Sequence, residues 1–133
     1  MHTHRHRFRV IYGDTDMMGV VYYANYFRYF EAGRNELLRA AGVEYKHLEA
    51  GGHALPVASA SAKYVSSARY DDELELETRV EQLRFGSVRL SYVLRRPADD
   101  AIIATGETVH ACVNPEGRIV RLPDSLRASL NPG

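Results

Sequence analysis

The chain has 133 residues, 45% of them hydrophobic and 26% charged, which suits one globular domain over residues 1–133 with length enough to bury a core. Lys+Arg and Asp+Glu both number 17, so the basic excess behind non-specific nucleic-acid binding is missing, while near-neutrality is compatible with self-association. The single cysteine, Cys112, excludes an internal disulfide framework and a Cys-rich zinc site.

No apolar run nears the ~18 residues of a membrane span, and MHTHRHRFRV does not read as a signal peptide. A cytoplasmic location is the expectation. Residues 5–12 read as a strand, with Phe8, Val10 and Tyr12 alternating against Arg7, Arg9 and Ile11. Gly13 and Asp14 end it with turn chemistry. From about Tyr22 to Ala41 the spacing becomes helical: Tyr22, Tyr23, Tyr26, Phe30, Gly33, Leu37, Ala40 and Ala41 share one face, opposite Arg28, Glu31, Asn35 and Arg39. Gly33, in mid-helix, costs about 1 kcal/mol against alanine, which close packing on a sheet would justify. Gly42 is a plausible stop.

Residues 44–51 predict a short helical turn. Leu55–Val65 reads as a strand of small residues, leaving room for a helix or ligand. After a polar connection over 66–72, Glu73–Leu83 alternates cleanly, with Leu74, Leu76, Thr78 and Val80 inward. Phe85-Gly86-Ser87 turns the chain, and Val88, Leu90, Tyr92 and Leu94 form the next inward face. Ala101–Val113 makes the last strand, Asn114-Pro115-Glu116-Gly117 a turn, and Pro123–Leu130 a closing helix. Short turns favour antiparallel neighbours. The economical arrangement is α+β, one long helix covered by a five-stranded antiparallel sheet.

The chemistry concentrates in Tyr12–Tyr26. Asp14 and Asp16 sit in a polar turn just before a helix N-terminus, where backbone N–H groups have no intrahelical partner. A carbonyl oxygen at those N–H groups, with Asp16 aimed at its carbon or at a water, would be set for acyl transfer. An isolated aspartate there more often caps the helix.

Two blocks reverse that reading. Tyr12-Gly13-Asp14-Thr15-Asp16 runs into Gly19-Val20-Val21-Tyr22-Tyr23, Tyr26, Glu31 and Arg34; the second block is Ala68-Arg69-Tyr70-Asp71-Asp72-Glu73-Leu74. Together they resemble the hotdog-fold thioesterases, in the branch of the 4-hydroxybenzoyl-CoA thioesterase-like and Tol-Pal-associated acyl-CoA thioesterases. The resemblance implies that Asp16 is catalytic and that a backbone N–H near Tyr23 polarises the thioester carbonyl. It implies substrate contacts at Gly19, Val20, Tyr22 and Arg69, no cofactor, and active sites at the interface of a homodimer, often within a homotetramer. A related bacterial branch has histidine where Tyr23 stands, so imidazole catalysis does not carry over. Asp14 is expected to hold the loop through backbone hydrogen bonds.

Tyr22, Tyr26 and Phe30 are each more often core than substrate wall. Glu31 and Arg34, three apart, predict a surface or interface ion pair. Arg69, Arg84, Arg89 and Arg127 are candidates for the CoA phosphates. His2, His4 and His6 share one side of a strand, which could bind a metal, though a terminus rarely preorganises one. No G-x-S-x-G, P-loop or G-x-G-x-x-G motif is present. Two rivals remain: a non-catalytic acyl-CoA-binding or scaffold module of this fold, and a hydratase. A binder needs no base beside the carbonyl, and no histidine adjoins the aspartate turn for hydratase chemistry. Whether Asp16 would activate water or attack the thioester stays open.

Overall fold

The computed structural model describes residues 3–131. β1 (Thr3–Arg9) leads through a 3-10 turn at Tyr12–Asp14 to the long helix α1 (Asn25–Ala40) and the short α2 (Tyr45–Ala50). β2 (Val57–Tyr64), β3 (Glu73–Leu83), β4 (Ser87–Arg96), β5 (Ala101–Ala111) and α3 (Asp124–Leu130) follow. One antiparallel sheet takes the order β1-β3-β4-β5-β2. Its edges are therefore β1 and β2.

The period-two pattern of the central strands builds the floor under α1. Leu74, Leu76, Thr78 and Val80 of β3 are buried, as are Val88, Leu90, Tyr92 and Leu94 of β4. The helix meets that floor where side chains are missing. A Cβ on Gly33 would lie 2.3 Å from Leu76 Cδ2 and 2.7 Å from Thr78 Oγ1, and one on Gly106 of β5 would lie 2.4 Å from Phe30 Cε2. Phe30 fills the space over Gly106 and stacks on Tyr92 at 4.5 Å between ring centroids. Both contacts draw α1 against the sheet, which is the fold the residue pattern predicts.

Two boundaries differ from the sequence reading by three residues, the others by one or two at most. The helix begins at Asn25 rather than Tyr22, because Val20 and Val21 are held extended by bridges to Arg69 and Thr15. Tyr22 and Tyr23 consequently lie before the helix and are exposed, while Tyr29 and Leu38 join Tyr26, Phe30, Gly33 and Leu37 on the buried face. β1 ends at Arg9 rather than at 12. Val10 gives its N–H to Asp72 O and takes the Asp71 N–H instead, and Asp71 adopts a left-handed φ of 69° that stops the ladder.

Candidate active site

The Asp16 turn is a closed hairpin. Asp16 N–H donates to Val20 O at 2.9 Å, Gly19 N–H to Asp16 O at 2.9 Å, and Gly19 takes φ 78°, which glycine adopts without strain. The Asp16 side chain turns back into the loop: Met18 N–H donates to Oδ1 at 2.9 Å, and Val20 N–H approaches it at 3.5 Å. Oδ2 has no hydrogen-bond partner among the described residues. One oxygen fixes the carboxylate and the other is left to accept.

Asp14, two residues earlier, is 6% exposed and fully engaged. Tyr29 OH donates to Oδ2 at 2.9 Å and Arg28 Nη1 to Oδ1 at 3.1 Å. Its backbone oxygen receives both Tyr22 N–H and Asn25 Nδ2, each at 2.9 Å. The carboxylate is held by side chains of α1, in addition to the backbone hydrogen bonds through which Asp14 is expected to hold the loop. Burial and this bond push the Tyr29 phenol well above its usual range. Asn25, Arg28 and Tyr29 thus tie the turn to the helix; as ordinary helix residues they carry no signal in the sequence.

Tyr22 N–H is consumed by Asp14, whereas Tyr23 N–H has no acceptor among the described residues. The Tyr22 and Tyr23 rings lie 4.9 Å apart. Their hydroxyl contact, followed by smaller contributions that include the Asp16 charge, raises the Tyr22 phenol above its ordinary value. Tyr23 also meets Tyr64 at the end of β2, 5.9 Å between centroids. Val21, Tyr23, Tyr26, Tyr64, Val65, Ser66 and Ser67 line an open cleft of about 490 Å³. Tyr64 was invisible from the sequence as a neighbour of the helix entrance, because only the sheet order brings it there.

The second sequence block folds onto the first. Val20 bridges Arg69, and Val21 N–H donates to Ala68 O at 2.8 Å. A Cβ on Gly19 would stand 3.4 Å from Arg69 Nη1, so the arginine lies over the glycine. Asp16, Gly19, Val20, Tyr22, Tyr23 and Arg69 are therefore neighbours.

Other expectations are redirected. Arg84 follows the end of β3 and Arg89 of β4 stands opposite Gln82 near that end, roughly 30–35 Å from Arg69 at ~3.3 Å per strand residue. Arg89 pairs with Glu107 at 3.1 Å. Arg127 donates to the carbonyls of Arg84 and Phe85, bracing a turn. None of the three joins the Asp16 site within one chain. Glu31 and Arg34 do not pair; the guanidinium turns inward and donates to Tyr92 OH at 3.1 Å. His2 lies outside the described residues, His6 stacks on Phe8, and no group of three metal-binding side chains occurs among the described residues. Cys112 is buried, which pushes its thiol up. No helix among the described residues is long and apolar enough to cross a membrane.

The family model of the thioesterase-like superfamily matches residues 10–130. The acyl-CoA thioester hydrolase YbgC of Escherichia coli is 34% identical over 92% of this chain and 91% of its own. The crystal structure of Slr0204, a 1,4-dihydroxy-2-naphthoyl-CoA thioesterase from Synechocystis, superposes with a TM-score of 0.91 at 22% identity, covering 96% of this chain and 95% of that one. An aspartate-to-asparagine mutant of 4-hydroxybenzoyl-CoA thioesterase, complexed with 4-hydroxybenzoyl-CoA, superposes at 0.89 with 22% identity, over 98% of this chain and 100% of that one. In sequence and in fold, the chain belongs to the thioesterase-like superfamily of hotdog-fold thioester hydrolases.

Proposed function

We propose that the protein hydrolyses CoA thioesters of acyl or aryl acids to the free acid and CoA, with Asp16 as the reacting carboxylate. The observation that carries this is the asymmetry of Asp16: Oδ1 is fixed by Met18 N–H while Oδ2 is without a partner among the described residues. As general base, Oδ2 takes a proton from water as its oxygen bonds to the thioester carbon; the C–S bond then breaks and the thiolate is protonated. As nucleophile, it bonds to the thioester carbon and expels CoA as the thiolate, and water then opens the mixed anhydride to the free acid and the aspartate carboxylate. The unused Tyr23 N–H supplies the oxyanion contact, a contribution worth ~10²–10³ in rate for one donor in other enzymes. Gly19, Val20 and Tyr22 flank the thioester, and Arg69 faces the CoA chain.

The acyl-CoA relatives support this substrate class, and the complex held by an aspartate-to-asparagine mutant supports a carboxylate role. Neither route uses a cofactor. The minimum unit is a homodimer, with a homotetramer as its doubling, working in the cytoplasm. Arg84 and Arg89 meet CoA phosphates in this reading only if a neighbouring copy brings its substrate to them.

The test is CoA-thiol release by wild type and Asp16→Asn on short-chain, long-chain and benzoyl-type CoA thioesters. The expected result is turnover of at least one class and a loss of ~10² or more in the variant. Turnover unaffected by the substitution removes Asp16 from the reaction. Acyl-CoA binding without hydrolysis moves the chain to the non-catalytic module.

A further inference from the structure

The inward turn of Arg34 opens a second site, away from Asp16. Its Nη1 donates to Tyr92 OH at 3.1 Å; Tyr92 OH and Thr108 Oγ1 are 2.6 Å apart; Thr108 Oγ1 reaches His110 Nε2 at 3.0 Å; and His110 Nδ1 reaches Leu55 O at 3.0 Å. Tyr92, Thr108 and His110 are all buried.

The direction of this chain is fixed at both ends. A guanidinium can only donate and a carbonyl can only accept. His110 therefore carries its proton on Nδ1 and accepts at Nε2. Thr108 donates to the imidazole, Tyr92 donates to Thr108, and Arg34 donates to Tyr92. Every member is satisfied with a neutral imidazole, in line with burial holding the His110 pKa below its ordinary value. The relay contains no anion, so nothing in it offsets the charge on Arg34. No carboxylate lies within 4 Å of that guanidinium among the described residues, and only one of its five donors is used.

Beside it lies a cavity of about 410 Å³, lined by Arg34 and His110 and otherwise largely by apolar side chains, among them Leu38, Leu55, Val88, Leu90 and Leu130. At ~30 Å³ per water-sized group this has room for on the order of ten heavy atoms. A half-buried cation with no carboxylate on its guanidinium, set against largely apolar walls, selects one chemistry: an anionic head on a short hydrophobic body. We propose that this cavity binds a small carboxylate with an alkyl or aryl body, its carboxylate on Arg34 and its body among the leucines and Val88. Glu31 lines the same cavity from its exposed side, where its charge disfavours a second negative group on the ligand.

Two sources share this chemistry: a free monocarboxylic acid, and the carboxylate end of a longer acyl group. The first stands independently of thioester hydrolysis; the second rests on it. Calorimetric titration of the full chain with hexanoate and benzoate, against hexanamide and benzamide, tests the site directly. Carboxylates should bind at least ten-fold more tightly than the amides. Arg34→Gln replaces the cation with a neutral amide and should remove that preference, Glu31→Gln should strengthen carboxylate binding, and Val57→Trp should block the mouth of the cavity for both. Equal affinity for acid and amide, no binding of either, or binding unaltered in Arg34→Gln overturns the proposal.

Turnover of adipoyl-CoA against hexanoyl-CoA separates the sources. A drop in that ratio in Arg34→Gln assigns the site to the far end of the acyl group; an unchanged ratio with loss of hexanoate binding assigns it to the free acid. Should no thioester be hydrolysed at all, the titration still decides whether the cavity binds carboxylates.

Discussion

Asp14 and Asp16 are two residues apart and meet opposite surroundings. Asp14 is buried and spends both oxygens on Tyr29 and Arg28, whereas Asp16 spends one oxygen on its own loop. The division of labour follows: the first aspartate fixes the loop to α1, and the second is presented by it. Tyr29 is the cleanest probe, because Arg28 is mostly exposed and its ion pair is weakened by solvent. Tyr29→Phe leaves a buried carboxylate oxygen without its donor, at a cost of about 1–3 kcal/mol. The expected outcome is a lower midpoint in urea together with a reduced kcat on the best thioester, since the loop that carries Asp16 loses an anchor. A variant with the lower midpoint and unaltered kcat would show that Asp14 serves stability alone.

At the scale of elements, the contact between α1 and the sheet decides where that loop stands. Gly33 is a weak helix former, and replacing it with alanine gains about 1 kcal/mol of propensity. The added methyl, however, enters the space of Leu76 and Thr78, both fully buried, and overpacking of this kind costs about 1–3 kcal/mol. Gly33→Ala should therefore be destabilised by up to about 2 kcal/mol, lowering Tm by up to roughly 8 °C at fixed protein concentration. A raised Tm in scanning calorimetry would mean that the helix rides above the sheet. This contact was legible in the sequence because an apolar-face glycine needs a reason, and the β3 and β4 faces were legible because alternation is local. The helix start was not, since Val20 and Val21 are held extended by residues about 50 positions away. The inward turn of Arg34 was equally hidden: spacing on α1 pairs it with Glu31, while the buried Tyr92 that captures it lies on β4. The candidate site divides in the same way. Its aspartates and glycine announced themselves by turn chemistry, but Asn25, Tyr29 and Tyr64 join it only through packing.

At the scale of the whole molecule, β2 is the more exposed of the two edge strands that a single chain leaves open. Among the described residues it pairs only with β5, and seven of its eight residues are exposed, the exception being Ala62. Its free edge carries unpaired backbone groups over small side chains, Ala58, Ser59, Ala60 and Ser61, with no charge before Lys63 to repel another strand. Tyr64 at the end of that strand also walls the cleft beside Tyr23. A second copy pairing along β2 would close the edge and cover the open side of the cleft in one step. Ala60→Lys places a cation near the middle of such a seam, where a two-fold axis sets it close to its own counterpart, and like charges across paired strands are destabilising. Sedimentation equilibrium should give a wild-type mass of two or four chains and a shift toward one chain in the variant, the shift shrinking as salt is raised. Thioester turnover should fall with the loss of assembly while circular dichroism keeps the sheet signal. A wild type that sediments as one chain at full activity would place the complete site within the single subunit.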